Sequence, residues 1–167
     1  MDYAILPIAQ EHVEGFHDAL DRVARERKYL VYLEAPSIEK TREFILGNIR
    51  DGNPQYVALD GECVVGWCDV IRNPREASRH CGILGIAVVA EHRGQGIGRR
   101  LMTTVIDAAW ERDFTRIELG VREDNRNAIA LYRDLGFAVE GVRRKAIRID
   151  GQYEDVVTMA LLKENGA

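Results

Sequence analysis

The sequence predicts an α/β protein with a mixed, mostly antiparallel central sheet flanked by helices. Apolar segments of strand length are joined by the tight-turn pairs Asp60-Gly61 and Asp150-Gly151, as in antiparallel hairpins. Elsewhere, apolar residues recur at three- and four-residue spacings after Val13 and after Leu101, which is the periodicity of amphipathic helices. A glycine-rich connection at 94–98 leads from an apolar strand into the second of these helices.

The first half of the chain is predicted to form one strand, two helices and then a hairpin. Ser37 is a typical N-cap residue for the second helix, because its hydroxyl can accept from a free backbone amide. The turn-forming residues 51–54 end that helix. The predicted elements are a strand at 3–8, a helix through 13–23, a helix from Ser37 to about Ile49, and strands at 55–59 and 63–71.

The second half is predicted to alternate strands and helices before a closing hairpin. Gly82 and Gly85 fall inside its first strand, where glycine often marks a bulge or a close backbone approach. Gly136 stands in the usual position just after the end of a helix. The predicted elements are a strand at 80–89, a helix through 101–109, a strand at 115–121, a helix from Asp124 or Asn125, and strands at 137–149 and 153–162.

The bulk composition is typical of one soluble domain covering residues 1–167. Hydrophobic residues make up 46% and charged residues 30% of the chain. The net charge of −4 argues against a nucleic-acid partner. The sequence shows neither a signal-peptide pattern nor an apolar run of membrane length, so we expect a cytoplasmic protein without a membrane partner. Its three cysteines lack metal-ligand spacing, and no metal is expected.

The glycine-rich connection predicts an anion site. Glycine lets the backbone turn sharply and approach a ligand, and the first amides of the following helix have no internal partners. Together they suit a pyrophosphate. A dinucleotide fold would place its glycines in the first βα unit, and a Walker loop would carry Gly-Lys-Ser or Gly-Lys-Thr, so neither pattern fits. The pattern R-x-x-G-x-G does fit, at Arg93, Gly96 and Gly98.

The stretch from Val88 to Gly98 resembles the central motif of the GCN5-related N-acetyltransferases, whose pyrophosphate loop is R-x-x-G-x-G. A second stretch, Asn125 to Phe137, is similar to that family's N-x-x-A-x-x-L-Y-x-x-x-G-F signature. The resemblance covers residues 55–162 well and the N-terminal helices poorly. The segment Gly141 to Met159 resembles the phosphinothricin-acetyltransferase-like branch. The resemblance implies the family fold, in which a central strand is splayed from its neighbour.

The resemblance also implies that acetyl-CoA is the co-substrate. The backbone of the splayed strand would pair with the pantetheine arm as an added strand does. Amides of the loop would hold the pyrophosphate, Asn125 would hydrogen-bond the arm, and Arg99 is a candidate phosphate contact. The implied binding residues are Ile86, Ala87, Val88, Arg93, Gly94, Gln95, Gly96, Ile97, Gly98, Arg99 and Asn125.

The implied reaction is direct attack of an amine on the thioester, without a covalent enzyme intermediate. A backbone amide, such as that of Val88, would polarise the carbonyl. Tyr132 would protonate the departing thiolate, because a phenol with a pKa near 10 keeps its proton at neutral pH. Tyr132 also lies on the apolar face of its helix, so a core aromatic residue is the alternative interpretation.

The general base is the least specified part of the predicted site. In phosphinothricin-type relatives a glutamate occupies the position that Ile83 holds here, so the resemblance supplies no base. A water relay is as plausible as any side chain. The remaining candidates are Glu34, His80, Asp69 and Glu118.

The sequence therefore predicts an acetyl-CoA-dependent N-acetyltransferase acting on a primary amine of a small molecule or amino acid. Two alternatives stay open: a protein N-terminal or lysine acetyltransferase, and an acyl-CoA sensor without turnover. A closed acceptor pocket would favour the small amine, and an open groove would favour the protein. The resemblance also leaves a homodimer open.

Overall fold

The computed structural model describes residues 3–164, which form seven strands and four α-helices. Their order, β-α-α-β-β-β-α-β-α-β-β, is the predicted one. The elements are β1 (Ala4–Pro7), α1 (Val13–Arg25), α2 (Ile38–Asp51), β2 (Gln55–Asp60), β3 (Cys63–Arg72), β4 (Cys81–Val88), α3 (Ile97–Trp110), β5 (Arg116–Arg122), α4 (Arg126–Asp134), β6 (Ala138–Ile149) and β7 (Gln152–Leu162).

All seven strands belong to one sheet with the order β1-β2-β3-β4-β5-β7-β6. Every neighbouring pair is antiparallel except β4 and β5, which run parallel. The two predicted turns at 60–61 and 150–151 join antiparallel partners, β2 to β3 and β6 to β7. The predicted class, a mixed and mostly antiparallel sheet flanked by helices, is confirmed.

Strands β4 and β5 separate after a short paired segment. Their parallel register joins Cys81–Ile83 to Arg116–Glu118, whereas β4 continues to Val88 and β5 to Arg122. On its other side, β4 stays paired with β3 as far as Val88. A gap therefore opens within the sheet toward the ends of β4 and β5, and the predicted splayed strand is confirmed.

The two glycines of β4 allow close packing and do not form a bulge. The β3–β4 register runs without a shift past both. A Cβ atom at Gly82 would lie only 2.3 Å from Val70 Cγ1 and 2.7 Å from the Phe114 ring. A Cβ atom at Gly85 would lie 3.2 Å from Oδ1 of Asp69. Of the two interpretations of these glycines, close backbone approach is therefore the correct one.

Helices cover both faces of the sheet, and residue parity decides which face a side chain joins. Consecutive residues of a strand point to opposite faces. A Cβ atom at Gly66 would lie 3.4 Å from Leu101 of α3, whereas the ring centroid of Trp67 lies 5.0 Å from that of Phe16 in α1. Even-numbered residues at this part of β3 thus face α3, and odd-numbered residues face α1.

Candidate functional site

Two glycines with positive φ carry the chain from β4 into α3. The φ angles are 75° at Gly94 and 80° at Gly96, a region that residues with a Cβ atom rarely adopt. Gly96 is the N-cap of α3, so no side-chain oxygen caps the first amides of the helix. Among the described residues, nothing lies within 4 Å of a Cβ atom built at either glycine. The loop thus offers backbone amides and open space, as an anion site requires.

The polar side chains of the loop are held by other parts of the protein. The Arg93 guanidinium donates to Glu26 at 2.8 Å, and its pKa is raised chiefly by that bond. Gln95 Oε1 accepts from the Tyr3 hydroxyl at 2.7 Å. Arg99 forms an ion pair with Asp134 at 2.9 Å across to α4. Buried Ile97 anchors the first turn of α3 in the core. Backbone groups, and not these side chains, are therefore the part of the loop left to contact a ligand.

The gap beside β4 exposes part of its backbone. The amide of Val89 donates to the carbonyl of Val65 on the β3 side, and antiparallel strands alternate the direction of their backbone groups from one residue to the next. The amides of Ile86 and Val88 therefore point toward the gap. Ala87, which the resemblance also implies as a binding residue, directs its backbone amide and carbonyl to β3. Unlike Ile86 and Val88, it therefore presents no backbone amide to the gap.

Asn125 is the N-cap of α4 and borders a cavity. Its side chain accepts from the amide of Ala128 at 3.2 Å, which leaves the Nδ2 group to donate elsewhere. The cavity measures about 450 Å³. Its lining is polar and cationic, and consists of Lys28, Tyr29, Arg122, Asp124, Asn125, Arg126 and Asn127.

Tyr132 is buried on α4, with its ring 6.0 Å from that of Phe137. Burial, and to a lesser extent the nearby Cys68 thiol, raises the pKa of Tyr132 above its ordinary value. No hydrogen bond joins the Tyr132 hydroxyl to another residue between 3 and 164. The phenol therefore keeps its proton at neutral pH, and no described protein group competes for it.

The larger cavity lies on the α1 face of the sheet and measures about 500 Å³. One buried carboxyl group, that of Asp69 on β3, lies in an otherwise largely apolar wall. The β4 residues that border this cavity, Gly85 and Ile86, also adjoin the gap between β4 and β5. The remaining lining residues are Phe16, Leu20, Leu30, Val31, Tyr32, Pro36, Lys40, Thr41, Phe44 and Trp67.

Burial raises the pKa of Asp69 from 3.8 to about 7, because the ionised carboxylate loses its hydration. The backbone amide of Gly85 acts in the opposite direction and offsets only part of this rise. No ion pair joins Asp69 to a basic side chain within the described part of the chain. Asp69 therefore titrates in the neutral range, where a group can both take up and release a proton.

The pKa of Asp69 predicts a pH-dependent effect on stability. The folded state binds the Asp69 proton more tightly than the unfolded state, so the free energy of unfolding falls as the pH rises from 3.8 toward 7. Replacing Asp69 by Asn removes this loss. We expect Asp69→Asn to melt about 10 °C above the wild type at pH 8 and close to it at pH 4. Thermal unfolding followed by circular dichroism measures the two differences, and equal differences at both pH values would contradict the assignment.

Two of the predicted catalytic candidates lie outside this cavity. Glu34 is exposed in the segment between α1 and α2, where it faces Arg25 at 3.8 Å. His80 is exposed just before β4, at the end where β4 and β5 are still paired, and its carbonyl accepts from Thr115. Neither side chain lines the cavity, although Tyr32 and Pro36, which flank Glu34 in the chain, do. Sequence reasoning gave Asp69 no priority, since only strand pairing reveals which face it joins.

Residues 3–164 contain no group of three or more His, Cys, Asp or Glu side chains arranged to hold a metal ion. No helix within that range is long and apolar enough to cross a membrane.

The model of the Acetyltransferase (GNAT) family matches residues 17–137, a span that includes the glycine-rich loop and the segment with Asn125 and Tyr132. The chain belongs to this family. It is 36% identical over 117 residues to the L-amino acid N-acetyltransferase AaaT of Escherichia coli, covering 68% of this chain and 71% of that protein. It is 36% identical over 105 residues to the N-alpha-acetyltransferase RimI of Mycobacterium tuberculosis, covering 61% of each. The predicted enzyme class, an acetyl-CoA-dependent N-acetyltransferase, is thereby confirmed.

Solved structures of GNAT proteins share the fold over nearly the whole chain. The ribosomal-protein-alanine N-acetyltransferase of Brucella melitensis superposes with a TM-score of 0.91 at 25% identity, covering 96% of this chain and 99% of that one. The yncA protein of Salmonella typhimurium, solved with its cofactor acetyl-CoA, gives 0.92 at 18% identity, covering 100% and 98%. A phosphinothricin acetyltransferase from Sinorhizobium meliloti gives 0.91 at 21%, covering 97% and 89%. The superfamily is confirmed, and the phosphinothricin-type branch is one of several that match.

Proposed function

We propose that this enzyme transfers the acetyl group of acetyl-CoA to the primary amine of a small molecule or amino acid. The observation that carries this proposal is the cavity of about 500 Å³ beside Gly85 and Ile86. Its volume suits a small-molecule ligand. Its mostly aromatic and aliphatic wall favours an acceptor with an apolar body, such as an amino acid with an apolar side chain. The name of the E. coli relative supports the same class of acceptor.

Acetyl-CoA is assigned to the loop between β4 and α3 and to the gap beside it. The open amides from Gly94 to Gly98 would hold the pyrophosphate, and the gap-facing amides of Ile86 and Val88 would pair with the pantetheine arm. Asn125 would donate its free Nδ2 group to the arm. Arg93 and Gln95 would support the loop through their bonds to Glu26 and Tyr3, and Arg99 would lie near the phosphates within its ion pair to Asp134.

In the proposed reaction the acceptor approaches from the α1 face and its nitrogen attacks the thioester carbon. The Val88 amide, directed into the gap, is a donor for the oxygen that gains negative charge. Tyr132 donates its proton to the sulfur as the carbon–sulfur bond breaks, which gives neutral CoA thiol. The enzyme holds the two reactants in contact, which replaces a bimolecular collision by a reaction within one complex.

The release of CoA thiol with a panel of amines tests this function. We expect L-leucine, L-phenylalanine and phenethylamine to be acetylated with a kcat/KM at least about tenfold higher than L-aspartate or L-serine, because an apolar wall penalises polar side chains. Equal rates across the panel would contradict an apolar acceptor. Acetyl-CoA binding by calorimetry without turnover of any amine would indicate a sensor and overturn the proposal.

A protein N-terminus is the second candidate acceptor, and the name of the M. tuberculosis relative favours it. The same assay discriminates the two when peptides with an apolar first residue are added to the panel. Peptide turnover faster than that of the matching free amino acid would support the N-terminal activity.

A further inference from the structure

Asp69 carries a carboxyl group that is buried in an apolar wall, where it does not stabilise the fold. Only 6% of the residue is exposed, and it lines the same cavity as Phe16 and Trp67. A buried carboxyl without an ionic partner destabilises a protein, so its presence calls for another explanation. Its position supplies one, because it lines the cavity of about 500 Å³ that we assign to the acceptor amine, here called the acceptor cavity.

The backbone opposite Asp69 is shaped around the carboxyl group. Asp69 pairs in register with Gly85, and a side chain at Gly85 would bring its Cβ atom to 3.2 Å from Asp69 Oδ1. The glycine therefore leaves room for the carboxyl group beside β4. The following residue along β4, Ile86, turns its amide into the gap that we assign to acetyl-CoA. The carboxyl group thus lies where the acceptor cavity and the gap share a strand.

We propose that Asp69 is the general base of the acetyl transfer, a role that rests on the proposed function above. As the acceptor nitrogen forms its bond to the acetyl carbon, the Asp69 carboxylate takes the proton that the nitrogen loses. The carbon–sulfur bond then breaks, and the thiolate takes a proton from Tyr132. One proton enters Asp69 and one leaves Tyr132, and no oxidant or additional reactant is needed. Gly85 is the positioning residue that lets the carboxylate stand beside β4.

The surroundings of Asp69 support this role. The other titratable groups on the cavity wall are Lys40 and Tyr32, both exposed, and neither is bonded to Asp69. The Cys68 thiol, on the preceding residue, is buried and its own pKa is raised well above the ordinary value, so it stays neutral. Asp69 itself, with a pKa of about 7, is partly ionised at neutral pH and able to accept a proton there.

Comparing wild type, Asp69→Asn and the matched control Asp60→Asn tests the assignment. Asp60 is exposed on β2, so its replacement tests the same chemical change outside the cavity. With an acceptor that the wild type turns over, we expect Asp69→Asn to lower kcat/KM by about 10²- to 10⁴-fold at pH 8 and Asp60→Asn to leave it unchanged. Ionisation of the acceptor affects both enzymes equally, so it does not change the ratio of wild-type to Asp69→Asn activity. This ratio should fall below pH 7 as Asp69 becomes protonated.

A double-mutant cycle separates two possible effects of Gly85: positioning the Asp69 carboxylate, and shaping β4 where it would pair with acetyl-CoA. Gly85→Ala should lower kcat in the wild type but have little further effect in Asp69→Asn, because its effect acts through the carboxylate. Acetyl-CoA affinity, measured by calorimetry, should be the same in wild type and Asp69→Asn.

Wild-type turnover tests the proposed function, whereas the ratio and the cycle test Asp69. An activity ratio below threefold, a ratio independent of pH between 5.5 and 8.5, or additive effects of the two substitutions would each overturn the assignment of Asp69.

Discussion

Replacing Gly96 by valine is expected to weaken acetyl-CoA binding strongly while the protein still folds. Gly96 has a φ of 80° and begins α3, so a branched side chain there both strains the loop and fills the open space before the helix amides. Two or more charge-assisted hydrogen bonds to the pyrophosphate would be lost, at about 1.5–3 kcal/mol each. We expect calorimetry to show at least about 100-fold weaker binding of acetyl-CoA.

Gly52 provides a matched control for this substitution. It has a φ of 71° at the end of α2, and nothing described lies within 4 Å of its hypothetical Cβ atom. Gly52→Val therefore imposes similar backbone strain away from the loop. It should lower the melting temperature by a similar amount but leave acetyl-CoA affinity intact. Wild-type affinity in Gly96→Val would refute the assignment of the loop.

Replacing Tyr132 by phenylalanine is expected to lower kcat by about 100-fold or more without weakening acetyl-CoA binding. The departing thiolate would lose its proton donor, whereas the ring would keep its packing against Phe137. Because the Tyr132 hydroxyl has no hydrogen bond to another residue within 3–164, its removal should change the melting temperature by less than about 2 °C. The raised pKa of Tyr132 further predicts that this residue causes no loss of activity up to pH 10.

Tyr153→Phe is the control, since Tyr153 is exposed on the β6–β7 hairpin and stacks with Lys145 and Arg148. It should leave kcat unchanged. Full activity of Tyr132→Phe in steady-state assays, with a folded protein confirmed by thermal melting, would remove Tyr132 from the acid role and leave it a core aromatic residue.

Elements governed by local chemistry were correctly predicted from sequence. The N-cap Ser37, the helix-ending Gly136 and the two Asp-Gly turns act within a few residues of themselves, and each lies where expected. The glycine loop is equally local, because its positive φ angles and the free amides of α3 depend on residues 94–98 alone. Sequence spacing was therefore enough to predict the conformation of that loop, and its role as an anion site stays a prediction.

The cavity assigned to the acceptor depends on contacts between segments that are distant in the sequence. Glu34 and His80 were candidates by residue type, yet packing leaves Glu34 exposed beside Arg25 and His80 exposed at the end of β4 that is paired with β5. Only the β3–β4 register brings Asp69 opposite Gly85 and assigns it to the α1 face. Only the packing of α1, α2 and the segment between them encloses that face as a cavity.

The order of the elements and the conformation of the loop at 94–98 were predictable from sequence, because turn residues, caps and helical periodicity act over short distances, and the two motifs were sufficient to predict the family. Where the sheet opens, and which carboxyl group lies in the cavity, depend on the packing of the folded chain. Strand register and helix packing join residues far apart in the chain, and the burial that raises the pKa of Asp69 to about 7 exists only once they have met.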